Sequence, residues 1–79
     1  MIGKALKYMR SKKNINQKDL TSLLNIGQST LSDYENEKIS INFDMIEKIA
    51  HICDYKIYFV NSKTKDSFEV NDLIRKDTK

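Results

Sequence analysis

Proline and tryptophan are absent from this 79-residue sequence, which has only two glycines, one cysteine and one histidine. A single cysteine, Cys53, forms no internal disulfide, and with His51 as the one histidine there is no framework for a structural zinc site. Two isolated glycines, Gly3 and Gly27, make no glycine-rich phosphate loop. No cluster of nucleophile, base and acid stands out, so the sequence predicts a binding protein and not an enzyme, with no cofactor and no metal. There is no repeat or low-complexity tract. The chain begins with Met and lacks a long apolar run, which predicts neither a signal peptide nor a membrane span and hence a cytoplasmic location. Without staples, a domain this small must draw its stability from efficient helix packing or from oligomerisation.

The formal net charge is +3, but its distribution says more than its sum. Five basic residues (Lys4, Lys7, Arg10, Lys12 and Lys13) and no acidic one precede Asn14, whereas Ile15 to Asp54 is net acidic. Attraction to a polyanion would therefore come from the first segment and scattered lysines. A solvated helix face, with Lys12 and Lys13 offsetting the helix dipole, explains the same residues.

Apolar spacing predicts a helix over Ile2–Lys13, with Ile2, Leu6 and Met9 inward and Asn14 as its end. Asn16 is placed to cap a second helix beginning at Gln17, with Asp19 in its first turn. Leu20, Leu23 and Leu24 continue that helix until Asn25-Ile26-Gly27 interrupts the pattern, and Leu31 and Tyr34 resume it. This is a helix-turn-helix. Asn25 tolerates a left-handed backbone and Gly27 serves as the next N-cap. Leu20, Leu24, Ile26, Leu31 and Tyr34 face inward. Gln28, Ser29, Ser32, Asp33 and Asn36 face outward, as short or amide side chains suited to hydrogen-bonding base edges in a major groove.

Beyond a loop at Asn36–Ile41, Asn42 caps a fourth helix with Phe43, Ile46, Ile49, Ala50 and Cys53 at core spacing, and His51 and Cys53 read as packing residues. From Tyr55 the period changes. YKIYFV reads as a strand with Tyr55, Ile57 and Phe59 on one face, and Ser67–Val70 as a returning strand. Asn71 to Lys79 reads as a short helical turn followed by a frayed end.

The residues Gln17-x-x-Leu20, Asn25-Ile26, Gln28-Ser29-Thr30-Leu31-Ser32-x-Tyr34-Glu35 and Ile46-Glu47-Lys48-Ile49-Ala50 together resemble the lambda-repressor-like helix-turn-helix family. These are proteins of the phage repressor and Cro type, also found among bacterial regulators and antitoxins. The resemblance covers Ile2 to Asp54. It implies a mainly α fold with a four-helix DNA-binding domain over residues 1–54; the β-strand or hairpin and tail read over 55–79 stand in place of the family's fifth helix.

It further implies that Gln17 holds a phosphate while orienting Gln28 toward an adenine. Gln28, Ser29, Ser32 and Asp33 match base-facing positions. Arg10, Asn16, Gln17, Asn36 and Lys38 match positions that meet the DNA backbone, with Arg10 paired to Glu35 as a brace between helices. The chain departs from the family pattern in having Asn25 in place of a glycine, Gly27 in place of a serine-like cap, and the carboxylate of Asp33 on a surface meant for DNA, where it can only accept hydrogen bonds. The expected partner is a double-stranded DNA operator bound by a homodimer acting as a repressor, with the hairpin as candidate dimer surface. The alternative is an antitoxin or interaction module whose C-terminal segment binds a partner protein such as a toxin.

Overall fold

In the computed structural model, which describes residues 1–72, the helices are α1 (Ile2–Lys13), α2 (Gln17–Leu24), α3 (Gln28–Glu35) and α4 (Phe43–Ile52). All four end in one device. Asn14, Asn25, Glu37 and Asp54 each take a left-handed backbone, with φ of 63, 59, 61 and 67°. The next residue's N–H then reaches back five positions, as from Ile15 to Arg10, Ile26 to Thr21, Lys38 to Asp33 and Tyr55 to Ala50. This is the Schellman closure, made without glycine. The two asparagines were legible as stops because their short amides tolerate this backbone; Glu37 and Asp54 were not.

The N-termini follow the asparagine caps. Asn16 Oδ1 accepts from Asp19 N at 2.8 Å, and Asn42 Oδ1 accepts from Met45 N at 2.8 Å. Leu6, Leu20, Leu31 and Ile49, one from each helix, are fully buried, joined by Cys53, and Met9, Leu24, Ile26 and Tyr34 pack around them. α3 packs between α1 and α2, and α4 closes the opposite side. Among the described residues no helix is long and apolar enough to cross a membrane.

Gly3 is buried where α1 passes over the end of α3. A Cβ there would stand 2.5 Å from the Glu35 carbonyl oxygen and 2.7 Å from that of Tyr34. Backbone cannot yield as a flexible side chain would. Gly3→Ala is therefore expected to cost about 1–2 kcal/mol, because overpacking outweighs the gain in helix propensity. Urea unfolding checks it; a more stable variant would show that the two helices part freely.

The remaining structure is an antiparallel pair, β1 (Tyr58–Val60) and β2 (Ser67–Glu69), with Phe59 opposite Phe68. The strand is shorter than expected. Asp54 turns the chain out of α4, and Tyr55 and Lys56 bridge to the hairpin, which Ile57 joins only through its carbonyl, accepting from Val70 N at 3.0 Å. Asn61 organises the turn, its Oδ1 accepting from Lys63 N and Thr64 N. Three other expectations change. Ile2, expected to face inward from the first turn of α1, is exposed. His51 is exposed and does not pack. Phe43 lies at the rim of the core, 43 % exposed, and stacks on Phe59 with centroids 6.2 Å apart. It thereby ties the hairpin to the first turn of α4. Most of the tail expected after Asn71 lies outside the described residues.

Candidate nucleic-acid interface

α3 presents two unlike sides. Leu31 is fully buried and Glu35 is 7 % exposed, while Gln28, Ser29 and Asn36 are exposed and Ser32 and Asp33 are half-buried beside them. The buried side holds the helix and leaves the polar side free. Gly27 caps α3 with extended backbone and no side chain, so the N–H groups of Gln28 and Ser29 at the positive end of the helix have no hydrogen-bond partner among the described residues. α3 ends at Glu35, with Asn36 as its C-cap and Asn36 Nδ2 donating to Ser32 Oγ at 3.3 Å. Lys38 is exposed, its backbone tied to the Asp33 carbonyl at 2.8 Å and its ammonium in no ion pair among the described residues.

Behind this face lies a polar junction of three helices. Arg10 donates from Nε to Glu35 Oε2 at 2.6 Å, from Nη2 to Oε1 at 3.1 Å and from Nη1 to the Ile15 carbonyl at 3.2 Å. Gln17 adds a third donor to the carboxylate, from Nε2 to Oε1 at 3.0 Å. Burial pushes the Glu35 carboxyl toward its neutral form. The hydrogen bonds from Arg10 and Gln17, with the charges of Arg10 and Lys7, outweigh burial and hold it below the usual carboxylate range.

The amide pair expected between Gln17 and Gln28 does not form among the described residues, and the junction gives the reason. A carboxylate with side-chain exposure of 3 % needs more donors than one guanidinium supplies, and Gln17, opening α2 beside it, provides one. Gln17 is thus held by α3's last residue, and its carboxamide oxygen and backbone N–H have no hydrogen-bond partner among the described residues. Asn16 directs Oδ1 into its own helix and keeps its amide NH2 free of described partners.

Glu37 went unread in the sequence. Its carboxylate accepts from Gly3 N at 3.2 Å and meets the Met1 amino group, capping α1 from the far side of α3. Only the contact between α1 and the end of α3 brings it there, so no local pattern could have marked it.

Two short helices joined at Asn25–Gly27, the second with a polar face outward and anchored from behind, define a helix-turn-helix DNA-binding domain. A family model described as Helix-turn-helix matches residues 6–60, which is 55 of the 79 residues. The chain belongs to this lambda-repressor-like helix-turn-helix family. No match was found among curated proteins or among solved structures.

Proposed function

We propose that the protein binds duplex DNA sequence-specifically as a homodimer and represses transcription from the operator it occupies in the cytoplasm, without catalysing a reaction. The observation that carries this reading is the free polar face of α3, rooted by Leu31 and Glu35. With α3 in the major groove, Gln28 can grip adenine bidentately, Ser29 and Ser32 can donate or accept, and Asp33 can accept from cytosine N4. Asn16, Gln17, Asn36 and Lys38 flank that face and meet phosphates. Arg10 acts first as the brace. Three of its five N–H donors are engaged, and the remaining two are available to a phosphate.

One short helix reads only a few base pairs, so specificity calls for two half-sites about one helical turn apart and two copies of the chain. A second reading, an antitoxin-like protein whose hairpin holds a partner protein such as a toxin, draws on the exposure of Tyr58 and Val60, 55 and 60 %. In that reading the helix-turn-helix still binds DNA.

Selection of bound fragments from random duplex DNA is expected to yield a two-fold symmetric site. Against that site, Gln28→Ala should cost about 1–3 kcal/mol at one base pair per half-site and relax the preference there. Unchanged discrimination would mean that Gln28 does not read. Lys38→Ala should weaken all sequences alike and reduce the salt slope by about 1 per bound chain, as a phosphate contact does. A sequence-dependent loss would put Lys38 at a base.

A further inference from the structure

The hairpin has an edge that the fold leaves open. Asn61 N donates to the Asp66 carbonyl at 2.7 Å and Val70 N to that of Ile57 at 3.0 Å. Antiparallel alternation therefore turns the N–H and C=O groups of residues 57, 59 and 61 toward β2, and those of Tyr58 and Val60 away from it. Those outward groups have no hydrogen-bond partner among the described residues. Exposed edges are ordinarily guarded by charge, proline or a bulge. β1 has none of these: its three residues are Tyr58, Phe59 and Val60, exposed by 55, 50 and 60 %. β2 differs, with Ser67 and Glu69 flanking Phe68 and Lys56 beside the Glu69 carboxylate.

We propose that β1 pairs antiparallel with β1 of a second copy of this chain, the two-fold axis passing between the two Phe59 residues. This rests on the homodimer reading above and specifies its contact. Tyr58 and the partner's Val60 exchange two backbone hydrogen bonds, and symmetry repeats them, which satisfies every open group of the edge. The result is a four-stranded sheet in the order β2, β1, partner β1, partner β2. Phe59 and Phe68, whose centroids are 5.5 Å apart, continue across the axis as one aromatic face with Phe43 against it. Tyr58 packs on the partner's Val60 on the other face.

The register is chosen by the side chains. Centring on Tyr58 would set Lys56 opposite Val60, and centring on Val60 would set Tyr58 opposite Ser62; centring on Phe59 pairs the three strand residues only with one another. A two-stranded hairpin is marginal alone, and four strands with an apolar face are not.

The test is sedimentation equilibrium of the unchanged protein together with disulfide trapping in a Cys53→Ala background. Facing Phe59 positions form a non-hydrogen-bonded pair with Cα atoms about 4.5 Å apart, within disulfide reach. Facing Phe68 positions lie about 14 Å apart, three strand spacings, and are out of reach. The protein should sediment as a dimer, and Phe59→Cys should give at least about tenfold more covalent dimer on mild oxidation than Phe68→Cys. Should Phe59→Cys lose its helical circular dichroism, mixing Tyr58→Cys with Val60→Cys is the second trap and should give the heterodimeric crosslink. A dimer trapped by Phe68→Cys, or by none of these pairs, overturns the β1 pairing and leaves the homodimer standing. A monomer at concentrations that saturate a single half-site overturns both, and returns the edge to a different partner.

Discussion

Glu35→Leu is expected to lower the free energy of unfolding by about 3–5 kcal/mol, the cost of leaving a largely buried charge without its partner. Arg10 has 14 % side-chain exposure, and leucine removes both of its carboxylate contacts as well as the acceptor that holds Gln17. Adding Arg10→Met should restore part of the loss, because the cost lies in the stranded guanidinium more than in the pair itself. Additive losses around the double-mutant cycle would show that the two side chains act independently.

The same pair sets a pH dependence. Glu35 has its pKa lowered on folding, so the stability it contributes is complete above the unfolded value of about 4.3 and is lost as the pH falls through the lower folded value. Wild type and Glu35→Leu should therefore differ in urea midpoint at neutral pH and converge in strong acid.

Leu31→Ala is expected to cost about 2–5 kcal/mol, as for a fully buried leucine truncated in a core that only partly relaxes. A chain of this length has about 4–12 kcal/mol in total, so a substantial unfolded fraction should appear. Under the proposed function the loss falls on DNA binding as well, since Leu31 is the apolar anchor at the back of α3. DNA affinity measured on the fraction still folded should decline less than affinity per total protein. A thermal or urea transition shifted by under about 1 kcal/mol, the scale of an exposed substitution, would place Leu31 outside the core.

Local chemistry made the helices readable. Asn14, Asn16, Asn25 and Asn42 mark starts and stops by their own side chains, and the spacing of Leu20, Leu31 and Tyr34 separates the inner from the outer face of the helix pair. The outward set on α3 follows from that periodicity. The contacts that join elements distant in sequence stayed hidden. Gly3 looks like an ordinary helix glycine until the end of α3 is laid against it, and Glu37 like a loop residue until α1 needs a cap. Gln17 carries an amide that can bond to many partners, so only the burial of Glu35 selects the one it takes. Phe43 has core spacing along its helix and is drawn to the rim by Phe59, sixteen residues further on.

The hairpin illustrates a further limit. Alternation identified a strand from Tyr55 onward, but the length of a strand depends on where its partner starts, and β2 begins to pair only from Val60 back to Tyr58. Asp54 adds to this by turning the chain at the end of α4, through a left-handed backbone that its sequence neighbours do not announce.

The claim on which the functional reading depends is that the exposed face of α3 meets the bases. Titrating labelled protein with its selected duplex, and following each backbone amide by NMR, tests it most directly. The largest changes are expected at Gln28, Ser29 and Ser32, with Asn16, Gln17, Asn36 and Lys38 along the flanks and little change at the exposed Tyr8 or His51. Changes centred on α4 or on the hairpin, with Gln28 and Ser29 unmoved, would contradict it.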